Sequence, residues 1–180
     1  MQFIKTEFEG LVEIQPRIFR DERGYFLESY RKDRFLDAGI DVNFVQDNVS
    51  QSSKGVIRGL HLQHAPHAQA KLVRAIKGRI LDVCLDLRPD SPTFGKVYCA
   101  ELDSERNNMI FVPEGFAHGF SALEDAMIHY KTNNFYHKDS ESGVLWNDPQ
   151  LNIDWKVENP VISDKDAQLP SFESFTSQFL

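Results

Sequence analysis

Residues 80–87 read Ile-Leu-Asp-Val-Cys-Leu-Asp-Leu, and this stretch decides the fold class. Leu81, Val83, Leu85 and Leu87 fall on one face of an extended chain, and Asp82, Cys84 and Asp86 on the other. A period of two marks a strand, because successive side chains point to opposite faces. Outward from it, turn signals recur at short intervals: Asp21 to Gly24, Ser52 to Gly55, Lys77–Gly78, Pro89 to Pro92 and Pro113 to Gly115. Many short strands with such punctuation predict an all-β sandwich or barrel. One short helix is expected from about Lys32 to Ala38, stopped by Gly39. The tail from Asp164 onward reads as a short helix or a turn. Between Ile128 and Tyr136, the residues Tyr130, Thr132, Asn134 and Tyr136 share parity. A regular strand there would turn both tyrosines into one cavity.

A chain of 180 residues with 41% hydrophobic residues has the length and composition for one domain with its own core, spanning residues 1–180. Its 14 phenylalanines supply rings for that core and for pockets. A net charge of −7 argues against a nucleic-acid partner, since such proteins gather positive charge. It leaves room for a small anion held by a few converging arginines and lysines. Cys84 and Cys99 have no metal-type spacing, and Cys84 reads as a buried thiol. The N-terminus MQFIKTEFEG lacks a signal-peptide core, and no run approaches the roughly 20 apolar residues that span a bilayer. A soluble, cytoplasmic protein without a membrane partner is expected.

Three clusters carry residues suited to chemistry: Arg58 to Gln63 (RGLHLQ) followed by Gln69 to Val73 (QAKLV), Pro113 to Phe120 (PEGFAHGF), and the pair Tyr130 and Tyr136. The second resembles the last metal-binding element of cupin barrels, with His118 after a Pro-x-Gly turn. The first element departs from a metal site: Gln63, not a histidine, stands two residues after His61, and Lys71 occupies the region where a carboxylate ligand would be wanted. Two histidines beside an ammonium are a poor set for a divalent ion, so no metal is expected. His64 and His67, in HAPHAQ, read as exposed loop histidines. A histidine, a tyrosine and a lysine together suit proton transfer beside a carbonyl, with neutral imidazole as base and lysine stabilising an enolate oxygen. Taken singly, His61 reads as a hydrogen-bonded core histidine and Tyr130 as an amphipathic core aromatic, and spacing does not show that they meet. Arg23 and Arg58 suit diphosphate because a guanidinium binds in bidentate fashion, or surface ion pairs. Gln46 and Asn48 suit the edge of a base, or a turn.

Taken together, DERGYFLESY, FVQDNVSQSSKGVIRGLHLQ, QAKLVRAIKGRILDVCLDLR, SPTFG, PEGFAHGF, WNDP and SDKD, in that order, resemble the dTDP-4-dehydrorhamnose 3,5-epimerases, the RmlC-type cupins. The resemblance runs from roughly Ile4 to Pro170. It implies a cupin-type jelly-roll β-barrel with a few short helices, a homodimer, and no cofactor. It also implies a substrate, dTDP-4-keto-6-deoxy-D-glucose, epimerised at C3 and C5 on the route to dTDP-L-rhamnose. By this resemblance His61 is the base, Asp166 orients it, Lys71 stabilises the enolate oxygen at C4, and Tyr130 protonates the opposite face. Tyr136 would stack on thymine. Arg23, Glu28, Gln46, Asp47, Asn48, Arg58, His118, Glu141 and Lys165 match positions that contact nucleotide or sugar. Departures lie at Lys156, where relatives often carry Pro, at Ser142, and in the two extra histidines of the loop after Gln63. The rivals are an epimerase acting at one carbon, a metal-dependent cupin oxygenase, and a non-catalytic sugar-nucleotide binder.

Overall fold

Residues 80–86 lie in a strand, Arg79–Asp86, buried on both faces. The computed structural model describes the backbone of residues 1–179 and the side chains of residues 1–175. In chain order the strands are β1 (Gln2–Lys5), β2 (Val12–Gln15), β3 (Ile18–Asp21), β4 (Gly24–Leu27), β5 (Gln46–Ser52), β6 (Ile57–Gln63) and β7 (Lys71–Lys77). They continue with β8 (Arg79–Asp86), β9 (Val97–Asp103), β10 (Met109–Val112), β11 (Phe116–Ala122), β12 (Ala126–Thr132) and β13 (Glu141–Gly143). One sheet runs β1-β2-β10-β7-β12-β5 and a second runs β13-β6-β11-β8-β9, while β3 and β4 form a separate ribbon. Every pairing between these strands is antiparallel. This is the expected all-β jelly-roll barrel with a few short helices. Helix α1 (Lys32–Asp37) ends at Ala38 and Gly39, where Gly39 takes a φ of 84°. The tail holds α2 (Asp164–Ala167) and α3 (Phe172–Phe179).

Three apolar layers hold these sheets. Val73, Ile110 and Ile128 of the first sheet meet Ile80, Leu102 and Phe120 of the second in the barrel interior. A second layer lies outside: Leu81, Val83, Leu85 and Leu87 pack against Trp155 and Phe175 of the C-terminal segment. A third seals the first sheet's outer face, with Phe35 of α1 against Ile14 and Met109. The leucine face of β8 therefore points out of the barrel. Its polar face, with Asp82, Cys84 and Asp86, points in. Burying each large aliphatic side chain contributes roughly 1.5–3 kcal/mol, so the C-terminal segment that covers this outer face adds substantially to stability.

Asp86 shows why the SPTFG stretch is shaped as it is. Its carboxylate is fully buried and accepts from the Arg88 guanidinium at 2.7 Å, Ser91 Oγ at 2.6 Å and Thr93 Oγ1 at 2.6 Å. Burial opposes ionisation, but these donors outweigh it and hold the carboxyl down to about 2. The folded value lies below the ordinary 3.8, so the stabilisation is present above about 4 and is lost as pH falls toward 2. Chemical denaturation between pH 2 and 6 should show that loss, of order 2 kcal/mol by linkage. The Asp86→Asn protein, already weaker at pH 6, should show a flatter acid limb.

The strand that carries Tyr130 is shorter than its parity suggests. β12 stops at Thr132, whose Oγ1 donates to the Asn134 carbonyl as the chain leaves the sheet. Tyr136 therefore sits in a loop and not on the strand face shared by Tyr130.

Candidate active site

β6 and β11 lie side by side in the second sheet, and His61 is in register with His118. Two glycines set this geometry. A Cβ on Gly59 would meet Gly119 Cα at 2.6 Å, and one on Gly119 would meet the Arg58 carbonyl at 2.5 Å. The pairing skips a register at that point, a bulge of the kind that re-aims side chains. Opposite, in the first sheet, β7 presents Lys71 and β12 presents Tyr130. Arg58, His61, Lys71, His118, Tyr130 and Asp166 all line one cavity of about 550 Å³ between the sheets.

Asp166 reaches this cavity from the far end of the chain. The segment before α2 is tied to the edge of β6, with the Ile57 amide donating to the Val161 carbonyl at 3.0 Å and the Val161 amide to the Gly55 carbonyl at 2.9 Å. Ser163 then caps α2, accepting from the Asp166 amide. One Asp166 oxygen lies 2.8 Å from His61 Nε2, and the other accepts from the Gly59 amide at 3.0 Å. Burial disfavours its charge, but the bonds from His61 and Gly59 outweigh that and hold the carboxyl below its ordinary range. An ionised Asp166 only accepts, so in the neutral imidazole the proton sits on Nε2 and the lone pair on Nδ1. The imidazole is thus oriented as a base, with 27% of its side chain exposed.

Lys71 and Tyr130 are left for a ligand. Neither terminal atom has a hydrogen bond or ion pair among the described residues. Burial lowers the Lys71 ammonium's pKa, opposed by the charges of Cys84, Asp82 and Glu141. Burial raises the Tyr130 phenol, with Glu141 adding and Arg58 opposing, so it stays protonated and able to donate.

Below the cavity lies a polar group that the sequence reading did not assemble. His118 Nε2 is 2.8 Å from Asp82 Oδ2, and the Cys84 thiol donates to Asp82 Oδ1 at 3.5 Å. Their donor atoms fall within 4.8 Å of one another. The set is poor for a metal ion: Asp82 is already satisfied by both neighbours, burial and Asp82 push the Cys84 thiol well above its ordinary value, and Lys71 places an ammonium alongside. The cupin position at Gln63 is also occupied otherwise. Its amide donates to the His67 and Phe135 carbonyls, and its oxygen accepts from the His137 amide. The sequence shows that Asp82 shares parity with Cys84, but not that this face turns inward.

A smaller cavity of about 250 Å³ adjoins the first, lined by His61, Tyr136, Glu141 and Lys165. Glu141 Oε2 accepts from the Tyr136 hydroxyl at 2.7 Å and from Lys165 Nζ at 2.6 Å. Gln46 and Asn48 share a face of β5, where Gln46 Nε2 donates to Asn48 Oδ1 and Gln46 Oε1 accepts from the Tyr136 amide. Asp47 lies on the other face, bonded to Lys131 at 2.8 Å. Arg23 is 83% exposed at the tip of the ribbon, paired with Asp21, and Glu28 pairs with Arg31. The chain does not bring Gln46, Asn48, Asp47, Arg23 or Glu28 into the lining of either cavity, although Gln46 is bonded to Tyr136, which lines the smaller one. His64 and His67 are half-buried and not exposed loop residues. His64 lies 2.6 Å from Ser142 Oγ, and His67 stacks on His137 at 3.9 Å, because Gln63 ties their loop to the one after β12.

A histidine fixed by a carboxylate, an unpaired lysine and a protonated phenol around one barrel cavity define a cupin equipped for proton transfer beside a carbonyl. Comparison with known proteins names the particular family. The family model for dTDP-4-dehydrorhamnose 3,5-epimerase matches residues 5–174. The dTDP-4-dehydrorhamnose 3,5-epimerase of Shigella flexneri is 52% identical over 174 residues, 96% of either chain. A Legionella pneumophila structure, dTDP-6-deoxy-D-glucose-3,5-epimerase in complex with dTDP-4-keto-L-rhamnose, superposes with a TM-score of 0.94 at 41% identity, covering 99% of this chain and 96% of that one. The Bacillus anthracis dTDP-4-dehydrorhamnose 3,5-epimerase with TDP and PPi bound superposes at 0.93 and 46% identity, covering 95% and 99%. The chain belongs to the dTDP-4-dehydrorhamnose 3,5-epimerase family and is an isomerase.

Proposed function

We propose that His61, Asp166, Lys71 and Tyr130 carry out the epimerisation of dTDP-4-keto-6-deoxy-D-glucose at C3 and C5, giving dTDP-4-keto-L-rhamnose for dTDP-L-rhamnose biosynthesis. The observation that carries this reading is the His61–Asp166 pair facing an unpaired Lys71 and Tyr130 across one cavity. His61 Nδ1 takes the proton from a carbon beside the ketone. The electrons move to the C4 oxygen, where the Lys71 ammonium stabilises the enolate. Tyr130 returns a proton on the opposite face, and inversion requires that second group. Protons balance in each half-reaction once His61 and Tyr130 exchange theirs with solvent.

Tyr136 lines the smaller cavity and would stack on thymine, with Gln46 and Asn48 beside it to read the base edge. Arg58, His118, Glu141 and Lys165 contact sugar or diphosphate. Arg23, Glu28 and Asp47 take their roles in a homodimer, where one protomer's ribbon lies over its partner's cavity. Support comes from Phe19, Tyr25 and Phe26, which are 48%, 50% and 67% exposed on that ribbon, and from Val49, 62% exposed on β5. Arg74 Nε, buried without a partner, is consistent with a face awaiting a second copy. Exposed apolar groups gathered on one side mark interaction surfaces. Sedimentation of a monomer at micromolar concentration would contradict the dimer. We place the whole chain in one cupin domain acting in the cytoplasm; no described helix is long and apolar enough to cross a membrane.

Removal of the acid tests the division of labour. Tyr130→Phe should lower formation of inverted product about 10²-fold, within the range for a positioned proton donor. His61-dependent uptake of deuterium from solvent should continue with configuration retained. Loss of both together would place Tyr130 in another role.

A further inference from the structure

Among the described residues, the two cavities beside His61 share two lining residues, His61 and Lys165. The larger holds the proton-transfer groups, and the smaller lies under Tyr136. Lys165 therefore stands in the partition between them. It is held there by one contact of 2.6 Å, to an oxygen of Glu141 that also accepts from Tyr136 at 2.7 Å. The two partners differ in freedom: the Glu141 side chain is 15% exposed and that of Lys165 58%. Glu141 is fixed at its base, since β13 pairs with β6 and places Glu141 opposite Gln63. Lys165 is the member that can swing, and a flexible four-carbon stem carries its charge.

We infer that the Lys165–Glu141 pair is an exchangeable partition, opened when the diphosphate of a nucleoside-diphosphate sugar takes Lys165 from Glu141. This inference rests on the proposed substrate class. A ligand with a sugar at one end and a base at the other must pass the partition to fill both cavities at once. Its diphosphate then lies where Lys165 stands, and the Coulombic repulsion between diphosphate and Glu141 is offset by moving the ammonium between them. Glu141 remains bonded to Tyr136 throughout, so the base-stacking ring keeps its place while the partition opens. Besides its contact with the sugar, Glu141 on this account positions Tyr136 and Lys165.

The exchange makes a prediction that simple contact does not. Without Lys165, Glu141 is left as an unneutralised carboxylate beside the diphosphate, so removing its charge should restore binding. Titration calorimetry with dTDP would compare the unaltered protein, Lys165→Met, Glu141→Gln and the double variant, with melting curves to confirm folding. Lys165→Met is expected to weaken dTDP binding at least tenfold, and the added Glu141→Gln to recover at least fivefold of that loss. Thymidine, which has no phosphate, should bind the unaltered protein and Lys165→Met within about twofold. A double variant that binds dTDP as weakly as Lys165→Met, or more weakly, overturns the exchange while leaving the substrate class intact. Failure of the unaltered protein to bind dTDP overturns the substrate class and the exchange together.

Discussion

His61→Ala is expected to lower kcat about 10³–10⁴-fold, at the upper end of what a positioned general base supplies. The reason is geometric. The Asp166 carboxylate fixes the imidazole from behind at 2.8 Å, so the ring is both oriented and committed to one tautomer. A solvent base would have to enter the cavity to replace it. Binding should be little affected, because affinity for the nucleotide lies with the outer groups. The expected pattern is thus a collapse in kcat with dTDP affinity within a few-fold of the parent, read by steady-state rates and calorimetry. Asp166→Asn should fall between the two proteins, since the amide can still contact the ring but no longer fixes its tautomer through an accepting carboxylate. Comparable loss of dTDP binding in His61→Ala would mean that the residue holds the ligand and does not move protons.

Lys71→Met should lower kcat about 10²–10³-fold, the usual range when one donor to a developing oxyanion is removed. Methionine keeps much of the stem's volume, so the cavity wall is preserved while the charge is lost. Lys71 is suited to this role because nothing among the described residues occupies its ammonium, and because it lies half-buried in the cavity, where electrostatic attraction is less screened than in bulk water. The same loss should appear in the rate of deuterium uptake, since the enolate itself becomes harder to form. Normal uptake combined with slow product formation would move Lys71 from enolate stabilisation to a later step.

Much of the barrel was legible because its cause is local. The alternation at residues 80–87 names a strand, and Gly39 names the end of α1. Which face of β8 turns inward was not legible, because both faces are buried and the apolar one lies outside, under Trp155 and Phe175. That choice depends on a segment roughly seventy to ninety residues later. Parity misplaced Tyr136 because it assumes a strand continues, and β12 ends at Thr132. The dyad was out of reach of spacing altogether: His61 and Asp166 are 105 residues apart, and only the motif resemblance joined them. A local clue did exist in SDKD, where a serine three residues before Asp166 has the spacing of a helix cap. The inward-facing Asp82 and the pairing of Glu141 with Lys165 have no local signature, since each depends on register between strands or loops distant in sequence.

The most direct test of the enolate account is proton exchange with dTDP-4-keto-6-deoxy-D-glucose in deuterium oxide, followed by NMR at C3 and C5. The account predicts deuterium at both carbons, with inverted product, at rates that fall in His61→Ala in step with kcat. Exchange at neither carbon above the buffer rate, or exchange that His61→Ala leaves unchanged, would contradict it.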